Sequence, residues 1–332
     1  MKAGPGARAA YGPLIGLLAG GAYGITARLV FDQPGPTLFG KAFAAMSVAF
    51  LFLVPLALGA LTVHFAAPQG PWRWVTWLLL PWASCLLFLA AIAGLALEGL
   101  ICIVMAAPIF LFLASLGGLV VGLLQRESDS ARSGITVTAL ALLPFLASPL
   151  EQRTATPVER RRVETTVRIH ASPEVVWRNV VRVPVIGHDE LPSSAFDMLG
   201  IPLPVEATLD HDGNGALRTA RFESGLVFKE TVTEWKAGRT LGFDIAVDRD
   251  TLSPRLLDRH VAVGGEYFDV LHGQFALEPA GDGVVLRLVS VHRLSTRLNA
   301  YAGLWTDAVM ADLQRRICDV IRRRAETPTR SS

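Results

Sequence analysis

The chain has 332 residues, 51% of them hydrophobic, and a net charge of +2. Its charges are split unevenly: residues 1–150 carry seven Lys/Arg and four Asp/Glu, and residues 151–332 carry the other 24 and 25. This excludes one uniform soluble fold and a mainly disordered chain, because the first half has too few charges and the whole has too much apolar surface. No nucleic-acid partner is expected, since the second half nets −1 and has no dominant basic field. Cys85, Cys102 and Cys318 show no Cys-x-x-Cys spacing. A disulfide framework and a cysteine zinc site are therefore excluded, and no metal or cofactor is expected.

Five apolar runs fill the first half: 9–27, 42–63, 74–97, 99–124 and 134–150. A bilayer core of about 30 Å takes roughly 20 apolar residues in a helix. The first four runs meet that length, and the fifth is shorter and contains Pro144. The pattern predicts a multi-span α-helical membrane region of about five helices. The first run reads as a span, not a cleaved signal, because equally long runs follow it. Trp72, Trp74 and Trp77 open the third run as interfacial anchors. Only Glu98 and Gly99 separate the third and fourth runs, which predicts a tight hairpin. Pro55, Pro81, Pro108 and Pro144 lie inside runs and are expected to kink them.

Gly16, Gly20 and Gly24 recur every four residues, as do Ala114, Gly118 and Gly122. Small residues at this spacing let helices approach closely, within the bundle or in self-association through Gly16, Gly20 and Gly24. Glu98 and His64 fall at helix ends, which reads as interfacial wetting and not as a transport relay. The bundle therefore reads as an anchor in the plasma (inner) membrane. The flanking Lys/Arg divide five (Lys2, Arg8, Arg73, Arg126, Arg132) against six (Arg28, Lys41, Arg153, Arg160, Arg161, Arg162), which sets no orientation. The Arg160–Arg162 cluster leans toward a cytoplasmic polar half facing anionic headgroups, with a solvated strand start as the alternative.

Residues 151–159 read as a linker. Val163, Thr165, Val167 and Ile169 then alternate with Glu164, Thr166, Arg168 and His170, the period of a strand. Ser172-Pro173-Glu174 starts a short helix ending near Val181. Residues 184–204 are rich in Pro and Gly, with a possible short helix in the middle. Strands are predicted at 205–210, 215–224, 226–236, 239–248, 265–278 and 283–293, with a polar connection at 249–262. Asp212-Gly213-Asn214-Gly215, Lys236-Ala237-Gly238 and Gly281-Asp282-Gly283 mark turns. The last element is a helix from Asn299 to Arg324 with an apolar stripe of Leu304, Trp305, Ala308, Val309, Leu313, Ile317, Val320 and Ile321. Asp312, Gln314, Arg315, Arg316, Arg322 and Arg323 fall mostly on the other face. The order implies a curved seven-stranded antiparallel sheet wrapped on one long helix, an α+β arrangement with room for an apolar cavity.

The segment Val167-Arg168-Ile169-His170-Ala171-Ser172-Pro173-Glu174-Val175-Val176-Trp177 resembles the opening of the START-like, helix-grip (SRPBCC) superfamily. Glu230-Thr231-Val232-Thr233-Glu234-Trp235 with Arg239-Thr240-Leu241-Gly242-Phe243 resembles its central hairpin, and Tyr301-Ala302-Gly303-Leu304-Trp305-Thr306-Asp307 its closing helix. The polyketide cyclase/dehydrase and lipid-transport branch is nearest. The resemblance covers about 160–325, with a tail at 326–332, and the membrane half departs from soluble members. It implies a hydrophobic cavity for a lipid, polyketide or similar molecule. Only some members of the superfamily are enzymes, so fold does not settle function.

Strand parity and helix periodicity single out Phe228, Leu241, Phe243, Ile245, Phe268, Leu288, His292, Leu304, Trp305 and Val309 as cavity-lining candidates, with core packing as the alternative for each. His292, opposed by His272, is the candidate acid/base on the cavity side. Glu206 and Glu230 either place a carboxylate near the cavity or sit at a solvated edge. Three readings follow. The first is membrane-anchored binding of a hydrophobic ligand, the second a cyclase/dehydrase-type enzyme on an apolar substrate. The third is a non-catalytic interaction module, which predicts a filled interior.

Overall fold

Helices that are apolar all round have to bury their surface on each other or on lipid. The computed structural model describes residues 5–31, 42–127, 130–248 and 263–327. The predicted connection at 249–262, Lys2, Lys41 and most of the tail at 326–332 lie outside these residues. The chain forms two compact units, Met1–Thr156 and Pro157–Ser332.

The first unit contains α1 (Pro5–Val30), α2 (Val54–Ala66), α3 (Arg73–Gly94), α4 (Leu100–Glu127) and α5 (Ser130–Glu151). Among the described residues, five helical stretches are long and apolar enough to cross a membrane, the last being Ser133–Glu151. Outward-facing Phe112 and Leu146 are each 68% exposed, the side-chain chemistry a lipid-facing surface requires.

The second span is helical from residue 49, not 42, and opens with a π-helical turn at Ala49–Leu53. The Glu151 carboxylate accepts the backbone N–H groups of Val48 (2.8 Å) and Ala49 (2.9 Å), a charge placed at a positive helix end. Pro55 lies inside this continuous helix, as expected, and its missing N–H falls where π-helical bonding gives way to α-helical. The α3–α4 connection runs from Leu95 to Gly99, longer than the predicted hairpin. There Glu98 is paired with buried Arg28 (2.7 Å), and Arg28 also donates to the Leu97 carbonyl (2.8 Å). Glu98 is therefore a staple between the end of α1 and the α3–α4 turn, not a wetted carboxylate.

Gly16, Gly20 and Gly24 face the same chain: a Cβ on them would meet Thr62, Ala66, Ser84 and Phe88. Helices α2 and α3 fill this face, so it offers no open groove to a second copy. Trp72 and Trp74 are exposed as anchors should be, but Trp77 is buried, because Gly122 makes room for its indole.

The second unit contains β1 (Glu159–Ile169), α6 (Pro173–Val181), β2 (Pro204–Leu209), β3 (Leu217–Phe222), β4 (Val227–Lys236), β5 (Thr240–Val247), β6 (Phe268–Ala280), β7 (Gly283–Leu294) and α7 (Asn299–Glu326). The strands form one antiparallel sheet in the order β1-β7-β6-β5-β4-β3-β2. This is the helix-grip architecture. Hairpin turns carry Gly238 and Gly281 at φ +72° and +64°, a backbone region that side chains with a Cβ rarely occupy. Between α6 and β2 the chain makes two 3₁₀ turns, His188–Glu190 and Ala195–Leu199.

Helix α7 packs on β1 and β7, and several polar pins fix it there. Gln314 is buried; its amide donates to the Val163 carbonyl (3.1 Å) and Ser290 Oγ (2.9 Å), and its oxygen accepts from Thr165 (2.8 Å). Arg161 donates to Asp307 (3.0 and 2.6 Å) and to Glu159. Within the Arg160–Arg162 cluster, Arg161 is thus taken by α7 and Arg162 by Glu164, as a strand start requires. Gly303 lies against the Arg161 guanidinium, where a Cβ would overlap it. That contact turns the helix so that Leu304 faces solvent at 67% exposure and Ala308 is exposed too, contrary to the predicted stripe. Gln314 and Arg316, expected on the polar face, are buried instead.

The helix contacts in the membrane unit predict a contrast between two glycines. In Gly59→Ala the new Cβ would overlap the Ala114 carbonyl, whereas in Gly134→Ala it meets nothing within 4 Å. Thermal unfolding of the full chain in detergent should show the first variant destabilised by about 1–3 kcal/mol. The second should be neutral or stabilised by up to about 1 kcal/mol.

Candidate ligand cavity

A cavity lies between α7 and the inner face of the sheet. Its volume is about 150 Å³. Its wall combines β2–β7, α7 and the Pro-rich segment after α6, which contributes Ile186, Ile201 and Pro202. Phe222, Phe228, Phe243, Phe268 and Phe275 make it strongly apolar.

Of the residues predicted to line it, Phe228, Phe243, Ile245, Phe268, Leu288 and Val309 do so. Four do not. Leu241 is fully buried in the core beside Val232, Phe275 and Leu277. Leu304 faces solvent, and Trp305 follows it off the cavity side of the helix, for the reason given at Gly303. His292 is fully buried but outside the wall, packed on Phe268 with ring centroids 5.4 Å apart.

The two histidines are separated by a bulge. Register in the β6–β7 ladder shifts between Val270 and His272, which turns His272 to the outer face of the sheet. There its Nδ1 lies 2.9 Å from the exposed carboxylate of Asp244. His292 keeps the inward parity. Its Nε2 lies 3.2 Å from Thr306 Oγ1 and 3.5 Å from Asp307 Oδ1, while Nδ1 is buried without a partner. Burial holds this imidazole below its usual pKa; Asp307 and Glu159 oppose the shift and Arg161 adds to it. The arrangement suits a neutral ring donating from Nε2.

The polar groups that reach the cavity are of another kind. Arg218 and Glu230 are direct cross-strand partners on β3 and β4, both buried, and they form an ion pair in the wall. Arg218 also donates to the carbonyls of Val181 (3.2 Å) and Val180 (3.3 Å) at the end of α6. Its guanidinium stands over Phe243 at 5.5 Å and near Phe275 at 6.0 Å. Desolvation pushes the Glu230 carboxyl above its usual range, against the pull of Arg218. Glu206 lines the cavity nearer its rim, 3.5 Å from exposed Arg221. Arg221, Ser290 and Gln314 also line the cavity and complete the polar set.

Arg218 was not singled out from sequence, although parity contained the signal. It alternates in step with Ala220 and Phe222, and Glu230 with Phe228 and Val232, so both charges point inward with apolar neighbours.

The segment from Pro184 to Leu203 closes one side of the cavity and has no fully buried residue. Salt bridges to α7 hold it. Arg324 donates to Glu190 (2.7 and 2.8 Å) and to the carbonyls of Pro184 (3.0 Å) and Val185 (2.9 Å). Buried Arg316 joins Asp197 to Asp312, and Ser194 donates to Asp312 (2.9 Å).

No protein-family model matches the chain, and no curated protein matches it. Among solved structures it is similar to protein MLL2253 from Mesorhizobium loti, with 16% identity over 49% of this chain and 98% of that one, at a TM-score of 0.29. It is similar to truncated norcoclaurine synthase from Thalictrum flavum, with 11% identity over 51% and 96% and a TM-score of 0.32. A protein from Arthrobacter aurescens shows 14% identity over 53% and 94%, with a TM-score of 0.31. The fold is read from the strand order and the helix themselves.

Two predictions follow from the buried charges. Removing one partner, as in Arg218→Met, leaves a buried carboxyl uncompensated and should cost about 3–5 kcal/mol, whereas Arg218→Met with Glu230→Leu should recover most of it. Denaturant titration of the two variants checks this. For His292, the folded state resists a proton that the unfolded chain accepts below about 6.5. Its contribution to stability is therefore complete above that pH and is lost as pH falls toward the lower folded value. Unfolding midpoints measured down the pH scale should fall less steeply in His292→Gln than in the parent chain.

Proposed function

We propose that the chain is an integral membrane protein whose polar unit binds a hydrophobic small molecule or lipid in the helix-grip cavity. One observation carries the reading: an apolar cavity that the side chains of the described residues leave open, with a buried ion pair in its wall. A collapsed, filled interior, as a pure interaction module would have, is not what α7 and the sheet enclose. Binding would draw on apolar burial at about 25 cal/mol per Å², less the cost of association.

On the same reading the membrane unit is an anchor in the plasma (inner) membrane, with the polar unit on the cytoplasmic side. The linker between α5 and β1 joins the ligand-binding unit to that anchor in one chain. A cyclase- or dehydrase-type reaction would draw on a wall carboxyl, Glu230 or Glu206, since neither His272 nor His292 lines the cavity.

Mass spectrometry of molecules extracted from the purified full chain tests the reading. An apolar compound should co-purify with the parent. It should be lost from Leu313→Trp, whose indole would fill the cavity, without a fall in unfolding midpoint. Equal retention by both proteins would put the ligand elsewhere and overturn the proposal. A reporter fused after α7 tests the cytoplasmic side.

A further inference from the structure

An apolar wall alone would select for size and shape. This wall also contains a charge pair that is already neutral as a unit. Three of the five N–H bonds of a guanidinium are taken in Arg218, by Glu230 and by the carbonyls of Val180 and Val181. The two that remain have no partner among the described residues. Beside them is the Glu230 carboxyl, which also lines the cavity. Phe243 and Phe275 flank the guanidinium and both charged side chains are buried, so their electrostatics are less screened than at the surface.

A ligand's polar end meets both groups together. A hydroxyl can accept from the guanidinium and donate to the carboxyl, and a carbonyl can accept from the guanidinium. Neither adds a charge to a pair that already sums to zero. A carboxylate or phosphate would bring a second anion against Glu230 in a low-dielectric space, where like charges repel and desolvation is costly. A plain hydrocarbon would leave the open donors of Arg218 unmatched.

We propose that the Arg218–Glu230 pair selects ligands with an apolar body and an uncharged hydroxyl or carbonyl end, and rejects carboxylate- or phosphate-ended ones. The inference rests on the cavity being the ligand site. It adds that Glu230 is the specificity determinant, acting by repelling anions, with Arg218 as the shared donor.

Photo-crosslinking of the full chain in phosphatidylcholine nanodiscs tests it, using a medium-chain alkyl alcohol carrying a diazirine and the matching carboxylic acid. Labelled peptides from the cavity wall are quantified by mass spectrometry, which separates cavity binding from label in the bilayer. Near neutral pH the alcohol should label cavity peptides about tenfold more than the acid. Glu230→Gln keeps shape and hydrogen bonding but removes the anion, so the acid should then match or exceed the alcohol. Equal or stronger labelling by the acid in the parent chain overturns the selectivity and leaves the cavity reading intact. So does an unchanged ratio in a folded Glu230→Gln variant. If that variant does not fold, the parent ratio decides alone. Absence of cavity label with both probes overturns the cavity reading and this inference together.

Discussion

The second unit is governed by a mismatch of widths. Seven strands span about 30 Å, while one helix with its side chains is about 10 Å across. Helix α7 can cover only part of the inner face, and its polar pins commit it to the β1–β7 edge. Gln314 bonds to Val163, Thr165 and Ser290, and Asp307 to Arg161, all on β1 and β7. The inner face of β3–β5 is then left to α6, to the Pro-rich segment and to open space. The cavity is what remains when a sheet of this width is gripped at one edge.

The pins are polar for a physical reason. Apolar packing is non-directional and would draw α7 across the concave face until the gap closed. A buried amide with its donors and acceptor satisfied by three named partners fixes position instead, because moving the helix would strand those groups away from water. The clamps of Arg316 and Arg324 act likewise on the segment from Pro184 to Leu203, which has no buried side chain to hold it otherwise.

Most of the architecture was legible in the sequence. Period-two alternation and glycine turns located all seven strands to within a few residues, and the long apolar runs located the five candidate spans. The buried face of α7 is less legible. Its stripe was read from hydropathy, which assigned Leu304 inward and Gln314 outward. The true face is set by Gly303 meeting Arg161 and by the hydrogen bonds of Gln314, neither of which hydropathy encodes. His272 faces outward against simple parity, because a bulge shifts parity by one and leaves no residue signature in Val270-Leu271-His272. Arg218 is legible by parity, against the ordinary assignment of a charged strand residue to solvent.

That last point bears on why the ion pair is there. A buried salt bridge is weak evidence for stability, since apolar residues of similar volume often serve a core as well or better. The β3–β4 ladder could have carried two such residues at positions 218 and 230, continuing Ala220, Phe222, Phe228 and Val232. Instead the chain places a guanidinium and a carboxyl opposite each other, braces the guanidinium on two carbonyls of α6 and leaves both facing a cavity that is mostly apolar. Stability does not account for that choice. An arrangement that is costly to bury, geometrically braced and open to an internal space has the features of a recognition site, and it gives this cavity a polar end.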